Sequence, residues 1–352
     1  MNKQIICALL IFLFVLPLKG NAQNSVESDS ITTSLGLFDE QQVLPIKLKY
    51  SNRELKKETN DSTYVSSELS YQDNDGTWKS LNLDLRARGN FRRNNCYFVP
   101  IKISIEKKDY KDTKFDGHKK LKLVVPCLLE KDRNDNVLKE YIAYKLYEII
   151  SPYHFNTRRV DIELTEPRGK KEKIHLLKGF LIEDDKKIAK LFDGKIVDRS
   201  IHPLAQEELN SIRCEFFQFM IGNTDFSNLE QHNAKLIYSN NEIFPVPYDF
   251  DMSGLVNASY STVSETLSSK SNISSVTQRV YRGFKRNSTL IEQVRQEYIQ
   301  NKVKILEIIE SLESQFENEN EYEGAKKYIE DFFYILINEN EFKTEILDNL
   351  RS

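Results

Sequence analysis

The sequence lacks a strong excess of charge of either sign. Among its 352 residues, 50 Lys and Arg stand against 53 Asp and Glu, so the formal net charge is only -3. Neither a basic surface for nucleic-acid phosphates nor an acidic tail is therefore expected. Glycine is also scarce, with 12 residues, whereas aromatic residues make up 11% of the chain. This composition predicts a compactly folded protein that does not act on nucleic acid.

The histidines and cysteines lack the spacing of a zinc site. None of the five histidines lies at a metal-ligand spacing from a cysteine or from another histidine, which argues against a zinc enzyme. Beyond the N-terminal segment the cysteines are Cys96, Cys127 and Cys214, so at most one internal disulfide can form. Cys96 and Cys127 both lie in strand-rich sequence. They either pair with each other or remain two buried thiols.

Only one long hydrophobic run is present, and it lies at the N-terminus. Lys3 gives a positive start, an apolar run follows from Ile5 to Leu18, and Gly20-Asn21-Ala22 resembles a cleavage site. The run is shorter than the roughly 20 residues that a membrane-spanning helix needs. Residues 1–22 are therefore predicted to be an export signal. The mature protein is expected in the periplasm or outside the cell, with no stable membrane span.

Two hydrophobic periodicities divide the rest of the chain. Apolar residues alternate at period two from about residue 44 to 125, which predicts strands. Later segments have mainly helical spacing, with a tight hairpin turn predicted at Asn240-Asn241. The chain is accordingly read as an α+β protein. Residues 23–42 are a flexible leader, residues 43–184 a β-rich N-terminal lobe with one helix, and residues 185–352 a helical C-terminal lobe.

The first long helix is predicted where Leu138, Ile142 and Leu146 recur at helical spacing. Asp135 or Asn136 is its expected N-cap, and it should stop before the proline at position 152. A strongly apolar helix is predicted from about Leu204 to Ile221, and further helices over 276–284, 289–314 and 319–350. The sequence does not indicate an oligomeric state.

Three oxygen-bearing side chains flank the predicted hairpin. Asp225 and Asn233 precede its first strand, and Asp249 follows its second, so the hairpin should bring all three together. Phosphoryl transfer needs a carboxylate to align the attacking hydroxyl and oxygen ligands for Mg²⁺, and this set supplies both. A structural alternative remains open for each aspartate. Asp225 could cap a turn, and Asp249 could form a local Asx turn.

Several motifs resemble the CotH family of kinase-like proteins, in the form carried by exported Bacteroidetes proteins. The resemblance covers about residues 80 to 257. Its motifs are Arg86-Ala87-Arg88-Gly89-Asn90 with Arg92-Arg93, Pro100-Ile101-Lys102, Lys120 to Val124, Leu138 to Leu146, Gly179 to Asp184, the Asp225 loop, and Tyr248-Asp249-Phe250-Asp251. The resemblance implies an atypical protein-kinase-like two-lobed fold that binds ATP with Mg²⁺. It also implies a protein substrate that is phosphorylated on a hydroxyl.

The resemblance assigns a role to each site residue near the hairpin. Asp225 resembles the catalytic aspartate. Asn233 and Asp249 resemble the metal ligands, with Asp251 as a close alternative to Asp249. Asn233 follows Asp225 at a longer spacing than in the D-x-x-x-x-N pattern of protein kinases. Asn228 or Glu230 is therefore an alternative metal ligand, while His232 is read as a loop hydrogen-bond former rather than a base.

The same resemblance assigns the nucleotide contacts to the β-rich region. Arg88 would lie in the turn that covers the phosphates, and Lys102 would pair with a phosphate, with Lys122 in reserve. Glu183 ends a segment, 181–183, that resembles a hinge whose backbone meets adenine, although a plain strand end is an equal interpretation. Glu140 is either the partner of Lys102 or an exposed surface charge.

Two departures from the family pattern leave other functions open. Arg88-Gly89-Asn90 has a single glycine, so the usual glycine-rich phosphate cradle is missing. ATP is also scarce outside the cytoplasm. The leading hypothesis is an exported kinase that phosphorylates a protein hydroxyl. The alternatives are a non-catalytic, pseudokinase-like binding module of an exported surface or glycan-related assembly, and a metal-dependent hydrolase that uses the same carboxylates.

Overall fold

The computed structural model of the chain describes residues 36–131, 133–263 and 273–352. Residues 35–352 group into one compact unit. The predicted export signal at 1–22 lies outside the described residues, as does most of the predicted leader. Of the leader, residues 36–42 are described, and Leu37 among them is fully buried. Within the described residues, no helix is both long and apolar enough to cross a bilayer.

Seven strands form a closed β-barrel. They are β1 (Leu44–Lys49), β2 (Val65–Gln72), β3 (Trp78–Ala87), β4 (Ile101–Ser104), β5 (Lys120–Val124), β6 (Thr157–Arg168) and β7 (Lys171–Glu183). Their order around the barrel is β1-β2-β3-β4-β5-β7-β6. All neighbours are antiparallel except β1 and β6, which run parallel with Leu44 opposite Val160 and Lys49 opposite Thr165. This parallel pair closes the sheet.

The prediction of an atypical protein-kinase-like, two-lobed fold is wrong. The described residues form a closed mixed barrel with helices, not a β-sheet lobe joined to a helical lobe. Alternation at period two correctly indicated strands, but it reports only which face of a strand is buried. Which strands pair is a long-range property. Here β1 pairs with a strand that lies far away in the sequence, and only that contact distinguishes a closed barrel from an open sheet.

The two faces of the barrel wall pack into two different hydrophobic cores. Inward-facing residues such as Leu121 and Leu123 belong to the core inside the barrel. Outward-facing Val124, Phe180 and Ile182 belong to a second core shared with the helices. Strands β5 and β7 are therefore apolar on both faces, as expected for strands covered on both sides. Lys122 is an exception, because it faces outward from β5 among these apolar residues and is buried.

Ten α-helices of the described residues complete the fold. They are α1 (Asn52–Glu58), α2 (Asn90–Asn95), α3 (Lys107–Tyr110), α4 (Arg133–Ile150), α5 (Asp185–Leu191), α6 (Glu208–Met220), α7 (Ser288–Gln300), α8 (Lys302–Ser311), α9 (Glu319–Ile337) and α10 (Glu339–Glu345). Short 3-10 helices span Pro203–Ala205, Glu313–Gln315 and Leu347–Asn349. Helix α4 packs against the outer face of β7 and against the helices, so most of its residues are buried.

Four predictions about the helices are wrong. The predicted helix 289–314 divides into α7, α8 and a 3-10 helix, and the predicted helix 319–350 divides into α9, α10 and a 3-10 helix. Asp135 does not cap α4, which already begins at Arg133; its carboxylate instead accepts hydrogen bonds from the backbone of Glu317 and Asn318 at 2.8 and 3.0 Å. The segment 276–284 is not helical. There Arg279 and Arg282 donate to backbone carbonyls of the 220–226 region, so tertiary contacts fix an irregular backbone.

The predicted hairpin is confirmed. Strands β9 (Ala234–Ser239) and β10 (Glu242–Pro247) pair antiparallel, and β8 (Lys195–Val197) adds a third strand beside β9. Asn240 and Asn241 both have positive φ, 49° and 65°, as a type I′ turn requires. Asparagine tolerates this left-handed conformation better than most residues do. The hairpin sets the distance between the segments on either side of it.

Cys96 and Cys127 form a disulfide, while Cys214 is a buried free thiol. The alternative of two buried thiols at positions 96 and 127 is therefore excluded. The bond links the end of α2 to the segment after β5. Backbone hydrogen bonds from Tyr97 and Phe98 to the Cys127 carbonyl reinforce the same junction.

Candidate functional site

The hairpin brings Asp225, Asn233 and the start of the Tyr248–Asp251 segment together. The backbone N–H of Tyr248 donates to the Asn233 carbonyl at 3.0 Å, which extends the β9–β10 pairing by one residue pair. The Asn233 amide donates to the Asp225 carboxylate at 3.1 Å and to its backbone carbonyl at 2.7 Å. Asn233 therefore bridges Asp225 to the residue that precedes Asp249.

The Asp225 carboxylate lies at the surface. His232 Nε2 is 2.9 Å from Asp225 Oδ1, and the two side chains are 57% and 41% exposed. Since Asp225 Oδ2 is held by Asn233, both oxygens are oriented while the carboxylate still faces solvent. An incoming hydroxyl group can reach it. The interpretation of His232 as a hydrogen-bond former agrees with this geometry.

Asp249 and Asp251 are neighbouring carboxyls in the segment that follows the hairpin. Burial raises the pKa of Asp249, but Arg88 and Arg92 more than offset it, so the net pKa is lowered. Burial and the negative charge of Asp249 raise the pKa of Asp251, although Arg92 opposes this. The nearby cations therefore favour the charged form of Asp249 more strongly than that of Asp251.

The backbone at this site is held in an uncommon conformation. Asp249 has a φ of 63° and Asn233 a φ of 53°, in the left-handed region that few residues other than glycine adopt. The Asp249 backbone N–H donates to the hydroxyl of Tyr144 on α4 at 2.9 Å. Residues kept in such a conformation cluster at functional sites, because surrounding contacts must hold them there.

Arg92 is a central residue that the sequence reasoning did not assign to the site. It lies on α2 and donates to Asp251 at 2.7 Å, to Glu140 at 3.2 Å and to the Tyr260 hydroxyl at 3.3 Å. Its only signal in the sequence was its place in the motif at 86–93. Glu140 is fully buried and bound to Arg92, so it is neither an exposed charge nor an ion-pair partner of Lys102. Burial raises the pKa of Glu140 in spite of Arg92.

Lys122 is a buried cation on the outer face of β5. Its ammonium group lies over the rings of Phe155 and Tyr248, 4.9 and 5.0 Å from their centroids. Its ion-pair partner is Asp185, at 3.5 Å. Burial lowers the pKa of Lys122 to about 8, although Asp185 opposes the shift. A buried ammonium held this loosely is available to an anionic ligand.

Lys102 and Arg88 lie next to Lys122. Strand pairing places Lys102 directly opposite Lys122. Arg88 follows β3, and its Nε is buried without a hydrogen-bond partner among the described residues. Arg88 and Lys235 both contribute to the low pKa of Lys122 through charge repulsion. Lys102, Lys122 and Lys235 thus act on the Asp185 carboxylate, and Arg88 and Lys122 act with Arg92 on that of Asp249.

Three other candidates have no described contact with these cations, although Glu183 lies beside them, opposite Leu121 in the β5–β7 pairing. Glu183 ends β7 and accepts a hydrogen bond from Asn156 at 2.7 Å, which is the plain strand end that had been the alternative to a hinge. Asn228 is buried with its amide directed at Cys214 Sγ, and Glu230 is exposed. Neither of these two side chains has a described contact with Asp249 or Asp251.

No group of three or more His, Cys, Asp or Glu in the described part of the chain has the arrangement of a metal site. The oxygen ligands that remain are the carboxylate of Asp249, its partner Asp251, and the amide oxygen of Asn233. Mg²⁺ uses one or two carboxylates together with substrate phosphates and water, rather than a complete protein cage. The residues present suit that type of site.

Comparison with known proteins does not place the chain in a group. No protein-family model matches the sequence, and neither does any curated protein. The function must therefore be argued from the residues of the site.

Proposed function

We propose that this chain is an exported phosphotransferase that moves a phosphoryl group from a Mg-nucleotide to a protein hydroxyl. The observation that carries the proposal is the group of cations beside the carboxylates of Asp185 and Asp249. Arg88, Lys102, Lys122 and Lys235 contribute four positive charges there. Lys122 is buried and Arg88 Nε has no partner among the described residues. A chain of phosphates is a matching ligand for such a group of cations.

Each residue can be given a part in the reaction. Arg88 and Lys122 bind and orient the donor phosphates, and Lys102 and Lys235 add to the positive potential. Asp225 accepts the proton of the acceptor hydroxyl as its oxygen forms the new bond to phosphorus. The bond from phosphorus to the bridging oxygen breaks, and the electron pair leaves with the nucleoside diphosphate. His232 and Asn233 keep the Asp225 carboxylate oriented.

Asn233 and Asp249 would hold the magnesium ion, with Asp251 as the next neighbour. Nearby cations lower the pKa of Asp249, and both amide hydrogen bonds described for Asn233 go to Asp225, so its amide oxygen remains for a cation. When bound, the ion would neutralise charge on the donor phosphates. The resemblance of the sequence motifs to the CotH family supports the proposal of this activity. It no longer supports the family's fold, which the closed barrel contradicts.

The proposal is tested by thermal stability and by phosphate transfer in parallel. Saturation with MgATP at 100 times its Kd should add about 2.7 kcal/mol to the free energy of unfolding. Asp249→Asn should abolish this stabilisation and the transfer of labelled phosphate to protein. Asp348→Asn makes the same change on an exposed carboxyl and should behave as the wild type. An unchanged melting temperature at saturating MgATP and MgGTP would refute the proposal.

A non-catalytic binding module is the second candidate, and one observation favours it. Asp251 accepts a hydrogen bond from the buried Arg92, so part of the acidic set is already paired within the protein. Such a site could bind a nucleotide without turning it over. Ligand-induced stabilisation without any labelled acceptor or released phosphate would identify this function. Phosphate release without acceptor labelling would instead identify a hydrolase.

A further inference from the structure

The segment 181–183 has no free backbone edge. Strand β7 lies between β5 and β6 in the barrel, so Leu181 and Ile182 pair with β5 on one side and with β6 on the other. The Glu183 backbone N–H donates to the Asn156 carbonyl at 3.0 Å. A closed ladder uses the N–H and C=O groups that an open edge would offer to a ligand. An adenine ring cannot be recognised by this backbone.

The residues that follow are committed to a helix cap. The Asp184 carboxylate accepts a hydrogen bond from the Lys186 backbone at 3.1 Å, and its carbonyl accepts one from Lys187 at 2.9 Å. The rings beside the site are also in use, because Phe155 and Tyr248 pack on the Lys122 ammonium group. The backbone of 181–184 and these two rings are therefore already engaged within the protein.

The cations beside this segment, in contrast, have few anionic or hydrogen-bonding partners among the described residues. Lys122 has one ion-pair partner at 3.5 Å, and Arg88 Nε has none among the described residues. The alternation of β4 and β5 puts Lys102 and Lys122 on the same outer face of the barrel as neighbours. A chain of phosphates matches a row of cations, whereas a base offers them only weak interactions.

We infer that the donor is recognised through its phosphate chain and not through its base, so that any nucleoside triphosphate, and inorganic triphosphate, can occupy the site. This inference rests on the proposed function and names its substrate class. With inorganic triphosphate, the terminal phosphorus–oxygen bond breaks and diphosphate leaves with the electron pair. The acceptor oxygen bonds to the transferred phosphorus, and Asp225 takes the hydroxyl proton.

The test is a set of titrations of the full mature chain, with its disulfide intact, against ATP, GTP, CTP, UTP and inorganic triphosphate. Each contains Mg²⁺ and is followed by calorimetry. The four nucleotides should bind within about threefold of one another, and triphosphate within about tenfold. A preference for one base of about 30-fold or more, or binding of ATP without triphosphate, would overturn the inference alone. Binding by none of the five would overturn the proposed function and this inference together.

Substitution of Lys122 tests whether this cation contributes to the binding of every donor. Lys122→Met should weaken all five donors by a similar factor, on the order of tenfold or more, because it removes a charge that every donor uses. Lys343→Met makes the same change at an exposed position on α10 and should leave all five affinities unchanged. Loss of affinity for a single nucleotide in the Lys122 variant would show base recognition and contradict the inference. The melting temperature without donor checks that each variant is folded.

Discussion

The buried charge cluster and the exposed Asp225 loop hold the same kinds of groups in opposite environments. In the cluster, Arg92 joins Asp251 and Glu140 with all three side chains less than 10% exposed. In the loop, Asp225 and His232 form one hydrogen bond and remain about half exposed. The cluster is tied to α2, α4 and the segment after β10. The loop is tied to its own hairpin and, through the carbonyls of Thr224 and Phe226, to Arg282.

This difference separates residues that hold the site from residues that act in it. A buried charge that loses its partner is strongly destabilising, because its desolvation is no longer compensated. An exposed carboxylate exchanges its protein partner for water at little cost. We therefore expect changes in the cluster to alter stability first, and changes in the loop to alter activity alone. Three variants test that division.

The largest effect is expected for Arg92→Met. Removal of the guanidinium group leaves Asp251 and Glu140 buried without a cation, which should lower the free energy of unfolding by about 3–5 kcal/mol. Urea unfolding followed by circular dichroism measures the loss. Arg53→Met, at an exposed position, should change stability by less than about 0.5 kcal/mol.

The Arg92 prediction has an internal check. Adding Asp251→Asn to Arg92→Met removes one of the two stranded carboxyls and should recover at least about 1 kcal/mol. A loss below about 1 kcal/mol for Arg92→Met alone would mean that the cluster contributes no more than a surface ion pair does. The comparison between cluster and loop would then fail.

The second largest effect is expected for Asp225→Asn, and it should change activity alone. Asp225→Asn keeps the shape of the side chain but removes the proton acceptor, so phosphate transfer should fall by about 10²–10⁴-fold. The free energy of unfolding should change by less than about 0.5 kcal/mol because Asp225 is exposed. His232→Ala should cost much less activity, since His232 only orients the carboxylate. A transfer rate within a few-fold of the wild type in Asp225→Asn would remove Asp225 from the mechanism.

The smallest effect is expected for Lys122→Met, and it has a defined pH dependence. Burial lowers the pKa of Lys122 to about 8 from an ordinary value of 10.5, so the folded state holds this proton less tightly than the unfolded state does. Lys122 therefore destabilises the fold as pH falls from 10.5 through 8. At pH 7 the variant should be more stable than the wild type by about 1 kcal/mol or more.

The gain from Lys122→Met should shrink as pH rises from 7 to 9.5, because the wild-type lysine then loses its charge in the folded state. Thermal unfolding across that range, with Lys343→Met as the control, measures it. Equal stability of variant and wild type at every pH would show that Lys122 is not strained by burial.

Much of the local structure could be read from the sequence. The alternation at Leu81, Leu83 and Leu85 predicted a strand, and these residues do face the barrel interior. The Asn240-Asn241 turn was recognisable because few residues tolerate two consecutive positive φ angles. Both signals are short-range. They depend on neighbours in the sequence, so they survive without knowledge of the rest of the fold.

The candidate site was only partly predictable. The hairpin indicated that Asp225, Asn233 and Asp249 approach each other, and hydrogen bonds link Asp225 to Asn233 and Asn233 to the residue before Asp249. Arg92 was not predicted, because its carboxylate partners lie 48 and 159 positions away along the chain. No periodicity reports a contact of that separation. Its role became visible only when α2, α4 and the segment after β10 were packed together.

By itself, the sequence determined where most strands and helices and the hairpin turn form, because these depend on side-chain period and on the φ preferences of single residues. Tertiary structure alone decided that the strands close into a barrel, through the parallel pairing of β1 with β6. It also decided which charges are buried together, as for Arg92, Glu140 and Asp251. Strand partners and burial are set by packing between distant segments, and the free energy of a buried charge depends on that packing.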